Sequence, residues 1–142
     1  MKYILDSDHL SLLGYPTGSE YAQLVLNLNL YRADGVAVSV ASFQEQILGA
    51  HTRIQVARND RDLLRGFEMM LDTFRRYAEF PMIAFEQQAL NCFKQLDKMR
   101  LRIGTMDLRI ASIALANDLT LVTRNTSDFA QVPNLKIEDW TK

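Results

Sequence analysis

Asp6, Glu45 and Asp107 each stand just past an apolar, strand-like run or at the start of a helix-like one. A fourth polar group, Thr123-Arg124-Asn125-Thr126-Ser127-Asp128, follows the clearest strand-like run in the chain. Carboxylates that converge in a cleft repel one another unless a cation neutralises them. Hard divalent ions with oxygen ligands do this best, and Mg²⁺ takes only one or two protein carboxylates beside water and substrate phosphate. Such a site activates water against a phosphodiester without a nucleophilic side chain. Nearby helix N-termini would receive the phosphate.

These residues can meet only if the elements carrying them share one sheet edge. Residues 2–5 read as a short buried strand ended by Asp6. Leu10, Leu12 and Leu13 suggest a brief helix, closed by Gly14 and Pro16. Residues 19–31 read as a helix, although the alternation over 26–30 leaves a strand open there. Asp34-Gly35 is a turn signal, and the β-rich residues 36–40 follow it. A helix is expected over about 42–54, a long amphipathic helix over 60–78 and a short strand over 80–83. Phe85, Ala89, Phe93, Leu96 and Met99 mark another helix. Gly104-Thr105 opens one more, through about Asn117, before a strand over 119–123 and a terminal strand over 135–137. Strands alternating with helices, with no hairpin turn between them, imply an α/β domain whose parallel sheet, of about five strands, carries helices on both faces. Ligands bind such sheets outside the carboxyl ends of the strands, near the switch point in strand order.

Each acid also has a purely structural explanation. Asp6 can cap the helix that follows it. Ser42-x-x-Glu45 fits a capping box. Asp107, two residues after a possible N-cap at Thr105, suits the positive end of a helix dipole. Jointly these explanations weaken, because the topology brings all three acids to one edge. Zinc chemistry fits poorly: His9 and His51 are too few and badly spaced, and Cys92 is the only cysteine. His9 is expected at the surface, beside the acids. There is no Gly-rich phosphate loop and no Gly-x-Ser-x-Gly elbow.

The 142 residues suit one domain spanning 1–142, large enough for a core without staples. A lone cysteine gives no sign of an oxidising compartment. Lys2 to Leu5 is too short an apolar start for a leader or membrane span, so a soluble, cytoplasmic protein is expected. With 16 basic and 17 acidic side chains the net charge is −1, which argues against broad, charge-driven nucleic-acid coating. Positive charge is local instead. Arg53, Arg58, Arg61, Arg65, Arg75 and Arg76 are interleaved with acids and suit a solvated helix surface. Lys94, Lys98, Arg100, Arg102 and Arg109 are less diluted and run up to Asp107.

Four segments carry a resemblance. Tyr3-Ile4-Leu5-Asp6-Ser7-Asp8-His9-Leu10-Ser11 resembles the opening of PIN domains, especially the VapC-type toxin ribonucleases. Residues 38–45, ending in Glu45, and residues 104–111, around Asp107, resemble the second and third motifs of that family. Residues 121–129 with Val132-Pro133 and Ile137-Glu138-Asp139-Trp140 resemble its C-terminal signature. The resemblance spans nearly the whole chain. It implies a PIN-like three-layer fold and a metal-dependent endoribonuclease. Asp6, Glu45 and Asp107 would hold Mg²⁺ or Mn²⁺ and place the attacking water. The fourth position falls on Asn125, where many PIN domains have an acid and VapC-type chains often have Asn, with Asp128 as the alternative. Ser7 replaces the commoner threonine and keeps a hydroxyl to orient Asp6 or a water. Ser7, Arg109 and Arg124 are the candidate substrate contacts. VapC-type toxins cut particular RNAs, often tRNA or ribosomal RNA. They usually form homodimers and are silenced by a small antitoxin. The apolar faces of 19–31 and 60–78 are either core or the surface that buries such a partner.

Two rival functions remain. A strand followed by Asp6-x-Asp8 imitates the nucleophile and acid of a haloacid-dehalogenase-like phosphatase, but the later lysine of that chemistry is missing near residues 119–128. A PIN-like scaffold with a decayed site, acting only as a binding module, is the other.

Overall fold

A computed structural model describes all 142 residues. Its organising element is a five-stranded, wholly parallel sheet in the order β3-β2-β1-β4-β5. The strands are β1 (Tyr3–Leu5), β2 (Val36–Ser39), β3 (Met82–Ile83), β4 (Thr120–Val122) and β5 (Ile137–Glu138). Seven α-helices connect and follow them: α1 (Ser7–Leu13), α2 (Ser19–Tyr31), α3 (Val40–Gln55), α4 (Asp60–Tyr77), α5 (Gln87–Lys98), α6 (Thr105–Ala116) and α7 (Thr126–Phe129). Strand β1 is central, with Leu5 paired to Val38 of β2 on one side and to Val122 of β4 on the other. The sheet therefore switches direction of growth at β1, and the carboxyl ends of β1, β2 and β4 lie together.

Alternation along the strands divides the core into two layers. Ile4 and Leu121 join Leu108, Ile110, Ala111, Ile113 and Ala114 of α6 and Ala89 and Leu96 of α5 on one face. Tyr3, Leu5, Val36, Val38 and Val122 meet Leu10, Leu24, Leu28, Tyr77 and Trp140 on the other. Trp140 closes that second layer by packing its ring edge-on to Tyr3 and nearly parallel to Tyr31. The α/β architecture read from the sequence, with helices on both faces, is the one that forms.

The departures are local. The 26–30 alternation resolves as helix, within α2. Strand β2 stops at Ser39 rather than running through residue 40, because Ser39 turns the chain into α3: its hydroxyl accepts from the Ser42 N–H at 2.9 Å. The expected capping box at Ser42 does not form. Ser42 is buried and its hydroxyl pairs with that of Tyr77 instead. Glu45 consequently lies in the second turn of α3, not the first. Thr105 is the first helical residue of α6, after Gly104, and caps nothing. The short helix α7 forms within the polar segment after β4, for which the sequence predicts no element.

The long helix α4 lies against α3, which Gly66 permits: a Cβ there would stand 2.7 Å from the Ile54 side chain and 3.2 Å from its backbone nitrogen. The apolar face expected over 60–78 is largely uncovered, with Leu64 69%, Phe67 55% and Phe74 57% exposed. No helix is long and apolar enough to cross a membrane.

Removing the Ser39 hydroxyl should cost about 1 kcal/mol, the usual value of an N-cap. Urea unfolding of Ser39→Ala measures it, and unchanged stability would return the cap to another residue.

Candidate functional site

Asp6 ends β1 and caps α1, so one residue serves both elements. Its Oδ1 accepts from the Ser7 N–H at 2.8 Å, and its Oδ2 accepts from the Thr123 hydroxyl at 2.8 Å. Thr123 follows β4 and is fully buried, and it accepts in turn from the Asn125 N–H at 3.0 Å. The Ser7 hydroxyl donates to Glu45 Oε1 at 3.0 Å, joining α1 to α3. Ser7 thus orients both Asp6, through its backbone, and Glu45, through its side chain.

Asp8 is the residue that the sequence reading left out of this cluster. Its Oδ1 accepts from His9 Nδ1 at 2.7 Å, and its Oδ2 accepts from the Arg124 N–H at 3.0 Å. His9, expected at the surface, is completely buried. Its Nε2 accepts from the Trp140 N–H at 3.1 Å, so the ring proton sits on Nδ1, facing Asp8. The last residues of the chain are thereby tied to the loop beside Asp6. With both oxygens engaged in this way, Asp8 is poorly suited to be the free acid of a phosphatase pair. The signal for it was its place two residues beyond Asp6; the signal for Thr123 was a polar residue ending an apolar strand.

The acids press on one another electrically. Burial, then the charge of Asp8, push the Asp6 carboxyl up to about 7, against the opposing bonds from Thr123 and Ser7, and Asp107 adds a further push. Asp107, in the first turn of α6, is raised by burial and by the charges of Glu45, Asp128 and Asp8. None of Asp6, Glu45, Asp107 and Asp128 is ion-paired. A cluster of carboxylates from four segments is therefore left without a compensating cation. All the donors are oxygens, which suits a hard divalent ion. The chain has no ready-made cage, since no three of its His, Cys, Asp and Glu side chains converge closely enough to hold a metal as they stand. An open site with one or two carboxylate ligands demands less convergence than that.

The other expected site residues fall as follows. Asn125 donates from Nδ2 to Asp128 Oδ2 at 3.1 Å, and it is the charge of Asp128 that reaches Asp107. The Arg124 guanidinium is turned to Glu20 of α2 at 3.4 Å. Arg109 has no acidic partner and lies over the Phe93 ring at 5.8 Å.

No family model matches the chain. Among curated proteins it is similar to Ribonuclease VapC2 of Rickettsia felis, at 48% identity over 48 residues, which are 34% of this chain and 36% of that protein. That alignment thus spans about a third of the relative's length. It is also similar to the tRNA(fMet)-specific endonuclease VapC of Salmonella typhimurium, 25% identical over 140 residues, 99% of this chain and 98% of the relative. Among solved structures, a chain of Rickettsia felis VapBC2 bound to a DNA fragment from its promoter superposes with a TM-score of 0.67 at 25% identity, covering 99% of both chains.

Asp6 makes the metal-free protein pH-sensitive in a defined sense. Its folded-state value, about 7, lies above the ordinary 3.8. Its contribution to stability is full below the ordinary value and is lost as pH rises through about 7. Asp6→Asn should therefore raise the Tm in EDTA at pH 8 by at least ~3 °C and have little effect at pH 3.5. Calorimetry at the two values checks this, and an equal or lower Tm at pH 8 would show that the carboxylate is not held at a cost.

Proposed function

We propose that this chain, which is similar in sequence and fold to the VapC-type PIN proteins, is a divalent-metal-dependent endoribonuclease and the toxin of a toxin–antitoxin pair. The observation that carries the proposal is the uncompensated carboxylate cluster at the carboxyl ends of β1, β2 and β4. The names of its relatives supply the substrate class, RNA, and the tRNA(fMet) specificity of one of them makes tRNA the first target to try.

Asp6, Glu45 and Asp107 would supply the one or two carboxylates that hold Mg²⁺ or Mn²⁺, which when bound neutralises the cluster and polarises the phosphodiester. Asp6 contributes a carboxylate that cannot swing, because each oxygen already accepts a bond from Ser7 or Thr123. Ser7 steadies Glu45 through a single bond to Oε1. Asp107, half-buried and raised, takes the proton of the attacking water on a carboxylate oxygen as that water's oxygen bonds to phosphorus and the bond to the ribose oxygen breaks, the leaving oxygen taking a proton from solvent. Asp128, steadied by Asn125, adds the fourth charge from the side of β4. Arg109 meets an RNA phosphate beyond the cluster, and Arg124 does so once released from Glu20.

The partner side of the proposal rests on helix α4. Leu64, Phe67, Leu71 and Phe74 recur along one exposed face of it, and Leu26 and Leu30 are exposed on α2. Soluble chains rarely leave such stripes uncovered. A cognate antitoxin covers the α4 face, and the toxin works as a cytoplasmic homodimer.

Purified protein incubated with total cellular RNA should yield discrete fragments in Mg²⁺ or Mn²⁺ and none in EDTA. Asp107→Asn and Glu45→Gln should each lower the rate by at least ~100-fold while leaving the fold intact by circular dichroism. RNA left whole by the wild type under every metal would remove the enzymatic reading and favour the binding module. In filter binding to catalytically silent Asp107→Asn, adding Arg109→Ala should reduce the slope of log affinity against log salt by about one phosphate contact. An unchanged slope would place Arg109 off the RNA path.

A further inference from the structure

The acidic cluster has a neighbouring cavity of which the proposed mechanism uses Arg109 alone. Val40, Ala41 and Gln44 of α3, Phe85 of the loop after β3, and Arg109 of α6 line an open cavity of about 530 Å³. It lies at the carboxyl ends of the strands. Gln44 immediately precedes Glu45, and Arg109 stands two residues after Asp107. The floor is apolar, one wall is aromatic, and only two polar groups reach it. Gln44 is exposed and makes no side-chain hydrogen bond within the chain, so its amide offers a donor and an acceptor side by side. Arg109 is half-buried, free of any acid, and steadied over Phe93.

We infer that this cavity holds the base of a nucleotide adjoining the scissile phosphate, with Arg109 on the phosphate that leads to it. A base needs an apolar slot with an aromatic face for stacking and an amide able to read its edge; its phosphate needs a cation. The four acids beside the cavity repel phosphate, so the one unpaired cation there fixes where the strand can enter. The inference rests on the reading of the chain as a ribonuclease and adds the source of its sequence preference. A second cavity, lined by Arg53, Val56, Ala57, Asp62 and Arg65, lies toward the opposite end of α3, about 20 Å away along the helix axis. Asp62 offsets its charge, and it offers no aromatic wall.

The test is a titration of the ¹⁵N-labelled, metal-free full chain with AMP, GMP, CMP and UMP, read at the Gln44 side-chain amide and the Arg109 Nε–H. At least one nucleotide should move both signals and saturate in the ~1–10 mM range, whereas inorganic phosphate should move Arg109 alone. Gln44→Ala should weaken that nucleotide by about 3-fold or more. Nucleotides that move no more than phosphate does would overturn the base site. If N-acetyl-tryptophan amide moves both signals and nucleotides do not, the cavity takes a partner protein's side chain instead, and the inference fails. Because the titration needs neither metal nor cleavage, the two readings separate. Binding without RNA cleavage would keep the nucleotide site and remove the enzyme; cleavage without binding would do the reverse.

Discussion

The structure depends on one buried carboxylate. Asp6 terminates the central strand, caps the following helix and accepts from Thr123 across the sheet, so β1, α1 and the segment after β4 are joined through its two oxygens. The charge is costly there, because desolvation and the neighbouring acids act on the charged form. That the position carries an acid, with Asp8, Glu45, Asp107 and Asp128 within electrostatic reach of it or of Asp107, is the pattern of a site held at the expense of stability.

Around that carboxylate the scaffold is arranged to limit motion rather than to neutralise charge. Ser7 holds Glu45, Asn125 holds Asp128, and Asp8 is pinned between His9 and the backbone of Arg124. His9 extends this restraint to Trp140, whose ring closes the core layer beneath β1. The cations, by contrast, are kept away from the acids: Arg124 is turned to Glu20, and Arg109 to the Phe93 ring.

The sheet and most helices were legible because their signals are long and local. Apolar runs separated by amphipathic stretches fix a parallel α/β order, and the three acids fall at run boundaries, where such sheets bind ligands. What was hidden depends on pairing across the chain. Nothing near His9 announces that Trp140, 131 positions later, will donate to its ring and draw it inside. Ser42 fits a capping box by spacing, yet the buried Tyr77 hydroxyl competes for it and Ser39 takes the cap. The amphipathicity of α4 was plain, but only the packing shows that its apolar face is left open. Asp8 suggests by spacing only the acid of a phosphatase pair, because its actual partners Thr123 and Arg124 are brought near by the fold alone.

The central claim is that these carboxylates are placed for a divalent cation. Isothermal titration of the metal-free protein with Mn²⁺ at pH 8 tests it most directly, with Asp6→Asn alongside. The account predicts saturable binding by the wild type, with a stoichiometry of one or two, and at least ~10-fold weaker binding by the variant. Equal affinity in both proteins, or no binding by the wild type, would contradict it and leave the acidic cluster without its cation.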